Sequence, residues 1–179
     1  MAGGLWYNAA MDAKKTNIVL IGMPGSGKST VGRILSKRTG MSQVDTDVLI
    51  ERSENMKLQD IINSRGLERF AEIEEAVLMG LDLENYIVST GGSAVYYPRA
   101  MEELKKSSTI VYLKTPISKL LSNIRNMDTR GISVKPGQTF EDLYNERCPL
   151  YEKYADVIVD TEGLAPPSIA ARVQAALKP

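Results

Sequence analysis

Gly22-Met-Pro-Gly-Ser-Gly27-Lys28-Ser29-Thr30 fits the pattern G-x-x-x-x-G-K-[ST] at every position. Glycines at that spacing let successive backbone N–H groups wrap an anion, and a helix starting at the lysine adds its positive dipole end. Gly25, Ser26, Gly27, Lys28, Ser29 and Thr30 are therefore the candidate nucleotide contacts. Lys28 is placed to reach the β- and γ-phosphates, and the Ser29 hydroxyl to ligate Mg²⁺. The plain alternative is an ordinary glycine-rich turn, and the motif alone does not separate a kinase from a GTPase or a motor. A second constellation follows: Asp45-Thr46-Asp47, two carboxylates one residue apart, which point different ways on extended backbone. One can serve a Mg²⁺ shell while the other meets an acceptor hydroxyl; either Asp45 or Thr46 can also simply cap a helix at Val48.

What is missing narrows the chemistry. The chain has no histidine and one cysteine, Cys148. Histidine acid–base catalysis, Ser-His-Asp triads, imidazole- or thiolate-bound zinc and an internal disulfide are excluded. Any metal is a hard cation held by oxygens.

The elements that position these groups are legible from periodicity. Asn17–Ile21 is a short β-branched run of the kind buried on both faces of a sheet. Val31, Ile34 and Leu35 follow at helical spacing and Gly40 ends that helix. A weak strand at 43–45 leads into a helix from Asp47, a second begins near Leu58, and Phe70, Ile73, Val77 and Leu81 mark an amphipathic helix. Strands are predicted at 86–89, 109–113 and 157–159. Helices are predicted over the Ile117–Ile124 stripe, over 141–154 with a break at Pro149, and after Ser168 as a cap. Residues 126–139 lack periodicity and read as a functional loop. Strands alternating with helices predict an α/β fold around a parallel sheet of about five strands.

The chain has 179 residues, one domain's worth, with Lys plus Arg and Asp plus Glu both at 22 and a net charge of zero. That balance speaks against a dedicated nucleic-acid or membrane-surface binder. No apolar run approaches the length of a bilayer span. Lys14 and Lys15 follow rather than precede the weakly apolar first segment, the wrong order for a secretory signal. With a lone cysteine, this predicts a cytoplasmic protein. Residues 1–16, with Trp6 and Tyr7, are read as an extension, native or added, and 17–179 as a single domain.

The order of motifs resembles the shikimate kinase family, small relatives of the nucleoside monophosphate kinases. The pieces are GMPGSGKST, VDTDVLIE, GLERFAEIEE, VSTGGSAV, Arg130 and ERCPLYEKYADVIVD, covering about residues 17–162. The resemblance implies a three-layer P-loop NTPase fold with a five-stranded parallel sheet in the order 2-3-1-4-5. It implies ATP, Mg²⁺ and phosphoryl transfer to a hydroxyl of a small metabolite by a monomer. Shikimate is the leading acceptor, with a sugar acid, polyol or amino alcohol as the alternative, and a non-catalytic nucleotide-binding module beyond that. It implies substrate-binding helices over about 47–80 and a mobile lid over about 126–139. By position, Asp47 binds acceptor hydroxyls and acts as base, and Asp45 lies near Mg²⁺ through water. Gly91 and Gly92 turn their backbone to the acceptor, Phe70 walls its pocket and Arg147 grips its carboxylate. Arg130 swings onto the phosphates. Apart from the resemblance, Arg125 at the end of the Ile117 helix is read as a neighbour of the adenine.

Two departures stand out. The family's Phe-Arg is Phe70-Ala71 here, and its third glycine is Ser93. Arg69 is two positions from Ala71, about 200° around a helix, and Arg65 is predicted in a loop, so neither replaces the missing arginine. Glu74 shares a helix face with position 71 and is then expected to pair with Arg147, an arrangement suited to a neutral or amine-bearing acceptor. Ser93 either adds a hydroxyl or blocks close approach. Tyr96-Tyr97-Pro98 reads as a loop anchor, and Cys148 as a packed small side chain.

Overall fold

The computed structural model describes residues 15–124, 132, 135 and 137–177. Trp6, Tyr7, Arg125, Arg130 and most of the 126–139 segment lie outside the described residues.

Five strands form one parallel sheet in the order β2-β3-β1-β4-β5, as expected. They are β1 (Asn17–Ile21), β2 (Ser42–Asp45), β3 (Tyr86–Ser89), β4 (Ser108–Lys114) and β5 (Val157–Asp160). Central β1 is buried along its whole length, and its side chains alternate between two cores. Ile18 and Leu20 join Val31 and Leu35 of α1 (Lys28–Thr39) and Ile169 and Val173 of α7 (Pro166–Ala176). Val19 and Ile21 face the other way, toward Met101 of α4 (Pro98–Ser107) and Leu143 and Tyr151 of α6 (Phe140–Tyr154). A strand apolar on both faces thus dictates the three layers.

The remaining helices stand at the carboxyl ends of the strands. They are α2 (Thr46–Glu54), α3 (Leu58–Met79) and α5 (Ile117–Asn123). The two helices expected at Leu58 and Phe70 are one element bent at Gly66, whose φ of +82° only glycine adopts cheaply. Arg65 therefore lies in α3 rather than in a loop, and it pairs with Glu54.

Two further expectations are corrected. Helix α6 runs through Pro149 without ending. The proline forfeits only the hydrogen bond to the Asn145 carbonyl, while Leu143, Arg147, Tyr151 and Tyr154 bury the helix's inner face on both sides of it. Ser168 does not cap α7: Pro166 and Pro167 occupy the first turn, where a missing N–H costs nothing, and Ala165 precedes them. No helix among the described residues is long and apolar enough to cross a membrane.

Candidate active site

Parallel strands deliver their C-terminal loops to one edge, and the site is assembled there. After β1 the chain turns through Gly22, Gly25 and Gly27, all at positive φ. Gly27 begins α1 with no side-chain cap, so the first-turn N–H groups are left for an anion. Lys28 is buried and folds back over this loop: Nζ donates to the carbonyls of Gly22 (2.8 Å) and Met23 (2.9 Å) and to Ser26 Oγ (3.4 Å). Burial lowers its pKa to about 8, against the opposing pull of Asp47 and Asp45.

At the end of β2 Asp45 is a helix cap whose other oxygen meets the phosphate loop. Its Oδ1 caps α2 by accepting the Asp47 N–H (3.0 Å), and its Oδ2 accepts the Ser29 hydroxyl (2.5 Å). The cap turns the Asp47 side chain into the cleft. Burial, then the carboxylates of Asp45 and Glu74, raise the Asp47 pKa to about 7, with Lys28 opposing.

The glycines after β3 show how closely the charged groups approach. A Cβ on Gly91 would collide with Glu74 Oε1 and come within 3.0 Å of Asp47 Oδ1. A Cβ on Gly92 would meet Pro24 Cδ at 2.8 Å and Arg147 Nη1 at 3.0 Å. The Gly91 N–H is taken by Thr46 Oγ1 (3.1 Å), and the Gly92 carbonyl accepts the Tyr151 hydroxyl (2.6 Å). The backbone groups expected to face an acceptor are thus partly committed to holding the loop. Gly91→Ala is expected to cost about 1–3 kcal/mol by overpacking the buried Glu74 and the half-buried Asp47. A thermal melt checks this, with a melting temperature several degrees lower as the expected result.

A cavity of about 530 Å³ runs from Gly25, Lys28 and Ser29 past Asp47 to Gly92, and reaches Asn123 and Pro166 at its other end. Asn123 Nδ2 donates to the Gly25 carbonyl (2.9 Å). Asn123 and Pro166 carried no signal in sequence: one ends α5 and the other begins α7, and neither belongs to a motif.

Arg147 is 1% exposed, far from the solvated helix arginine that α6 alone would suggest. Its Nε donates to the Tyr96 hydroxyl (3.2 Å), and the guanidinium lies over the Tyr96 ring at 5.0 Å. Glu74 is equally buried, and two hydroxyls hold it. Its Oε2 accepts the hydroxyls of Ser93 (2.6 Å) and Tyr97 (2.8 Å), and Arg147 acts on it as a nearby charge. Arg69 turns outward to Glu72, as the helical geometry required. Phe70, at 2% exposure, packs with Ile50, Leu58, Ile61 and Ile73 between α2 and α3, and it is not among the residues that line this cavity. Cys148 is a packed side chain that accepts the Tyr112 hydroxyl.

Comparison with known proteins agrees with this geometry. The family model for shikimate kinase matches residues 24–178. A shikimate kinase of Clostridium botulinum is 40% identical over 149 residues, 81% of this chain and 88% of that protein. One from Thermodesulfovibrio yellowstonii is 34% identical over 160 residues, 88% of this chain and 92% of that protein. The solved structure of shikimate kinase from Acinetobacter baumannii in complex with shikimate superposes with a TM-score of 0.84 at 32% identity, covering 90% of this chain and 92% of that one. With the motif order, the sheet order and the cavity all in agreement, the chain belongs to the shikimate kinase family.

Proposed function

We propose that the protein transfers the γ-phosphoryl group of ATP to a hydroxyl of shikimate, forming shikimate 3-phosphate. The observation that carries this reading is the convergence of a phosphate-binding loop and a carboxylate of raised pKa on one cavity, with a buried guanidinium behind Gly92 at its end. Asp47, titrating near neutrality, orients an acceptor hydroxyl and takes its proton as the bond to phosphorus forms. Lys28 follows the charge on the phosphates, and Arg147 offers a cation to the acceptor's carboxylate. No covalent enzyme intermediate is required, because positioning and charge stabilisation suffice.

The site also suits Mg²⁺. Ser29 Oγ and Asp45 Oδ2 converge, and the described residues contain no cluster of three or more acidic, Cys or His ligands. A sparse oxygen set fits an ion that keeps most of its waters and shares phosphate oxygens. Ser29 would hold it directly and Asp45 through water, and the bound ion neutralises phosphate charge. From the motif match, Arg130 is assigned to the transferring phosphoryl group. The reading takes the enzyme to be a cytoplasmic monomer.

The test is ATP consumption across shikimate, quinate, gluconate, homoserine, threonine and simple polyols. Turnover at sub-millimolar shikimate, and not with the others, is expected; no turnover on shikimate with intact ATP binding overturns the reading. A second test uses the half-buried Ala71, three residues before Glu74 on α3. Ala71→Arg adds a cation beside Arg147 and is expected to lower the KM for shikimate about tenfold, as a charge-assisted hydrogen bond contributes about 1.5–3 kcal/mol. An unchanged or higher KM would show that no carboxylate contact is missing there.

A further inference from the structure

Tyr151 of α6 carries its hydroxyl from the core to the catalytic edge of the sheet. Its side chain is wholly buried, and its ring stacks on Tyr112 of β4 with centroids 5.1 Å apart and planes inclined by 27°. The two phenols then part. The Tyr112 hydroxyl stays in the core and donates to Cys148 Sγ (3.4 Å). The Tyr151 hydroxyl reaches between the loops that follow β1 and β3. It donates to the Gly92 carbonyl (2.6 Å), takes a hydrogen bond from Arg147 and lies 3.8 Å from Met23 Sδ. Those two loops touch: a Cβ on Gly92 would stand 2.8 Å from Cδ of Pro24, the residue after Met23. The turn after β3 is tied at three successive residues to three different elements. Thr90 bonds to the Leu20 carbonyl of β1, the Gly91 N–H to Thr46 of α2, and the Gly92 carbonyl to Tyr151. The third tie is made where the turn meets the phosphate loop. Contact with Pro24 keeps the two loops from approaching further, and the Tyr151 hydroxyl keeps them from drifting apart.

We propose that Tyr151 is a positioning residue for phosphoryl transfer, its hydroxyl fixing how far the glycine turn stands from the phosphate loop and so how far an acceptor hydroxyl stands from the γ-phosphate. The proposal rests on the reading of the cavity as a phosphoryl-transfer site. In-line transfer needs the reacting atoms about 3–3.5 Å apart, and a misplacement of about 1 Å costs on the order of 10²-fold in rate. A side chain that sets the spacing of the two loops acts on that distance without touching either substrate. Burial holds the Tyr151 pKa above its ordinary value, so the phenol stays a donor across the working pH range. The role is separable from packing because the stacked pair contains its own control. Tyr151→Phe and Tyr112→Phe each remove one hydroxyl and keep both rings, but only the first hydroxyl lies between the loops.

The experiment compares wild type, Tyr151→Phe and Tyr112→Phe at a temperature where melting curves show all three folded. It measures kcat, KM for ATP, KM for shikimate and the slow hydrolysis of ATP without an acceptor. Tyr151→Phe is expected to lower kcat about tenfold, the effect of a shift of about half an ångström on the same scale. Both KM values and the acceptor-free hydrolysis stay within about twofold, because water reaches the phosphate without the glycine turn. Tyr112→Phe is expected to melt below wild type and to keep kcat within about twofold. An unchanged kcat in Tyr151→Phe overturns the proposal. So does an equal fall in both variants, which is loss of packing, and so does a matching fall in acceptor-free hydrolysis, which is damage to the phosphate loop alone. Wild type inactive on shikimate but active on another alcohol overturns the shikimate reading alone, and the same comparison of kcat on that alcohol then decides for or against Tyr151. Wild type that transfers to no alcohol overturns both.

Discussion

Replacing Lys28 by methionine is expected to lower kcat about a thousandfold while the protein stays folded. The amine is held by two carbonyls of its own loop and the Ser26 hydroxyl. It therefore stands over the place where the phosphates must lie, with little left to reorganise at the moment of transfer. A single preorganised donor aimed at developing charge is worth about 10²–10³ in rate, and a full cation inside a partly dry cleft lies at the upper end. The stability cost is small by comparison. Methionine keeps the buried stem, the two carbonyls lose a donor, and the removal of a desolvated ammonium, whose pKa burial has already lowered to about 8, offsets part of that loss. Single-turnover kinetics and a thermal melt separate the effects. A variant with near-normal kcat, or one whose inactivity merely tracks unfolding, would place the phosphate site elsewhere.

How much of this was legible beforehand depends on the range of the determining interactions. The phosphate loop, the acidic pair and the strand order follow from local signals: a full motif between strand and helix, and a β1 apolar on both faces. The burial of Arg147 was not local. Nothing in Glu-Arg-Cys-Pro predicts that the turn after β3 will lay Tyr96 beneath it across 51 positions. The same distance hid the second role of Glu74. Helical spacing put it on the face of position 71, but its partners come from the turn at Ser93 and Tyr97. For Phe70 the family resemblance pointed to the acceptor pocket, whereas its packing partners, Ile50, Leu58, Ile61 and Ile73, come from α2 and α3 and only the fold reveals them. Pro149 misled because propensity was weighed without packing: a helix anchored by buried residues on both sides tolerates one lost backbone bond.

Asp47→Asn is expected to abolish turnover and at the same time to make the ligand-free protein more stable. Three carboxylates crowd this end of the cleft, and both Asp45 and Glu74 push the Asp47 pKa upward, beyond the larger effect of burial, to about 7. Because the folded pKa exceeds the unfolded value near 3.8, the native state holds a proton that the unfolded chain has released between those limits. Stability is therefore fully present below about pH 4, declines as pH rises, and levels off above about 7. Water in the open cleft screens the repulsion, so the loss comes to about 1–2 kcal/mol rather than the full linkage value. Asparagine carries no charge at any of these pH values. The variant should melt several degrees higher than wild type at pH 7.5, match it near pH 4, and show a flatter stability profile between the two. Its kcat should fall about 10³-fold, since an amide cannot accept the acceptor's proton and general-base assistance contributes about 10²–10⁴. Melting curves across pH 4–8 beside steady-state kinetics read both halves. A less stable Asp47→Asn at neutral pH would mean that the carboxylate is held by favourable contacts, and near-normal kcat would remove Asp47 from the chemistry.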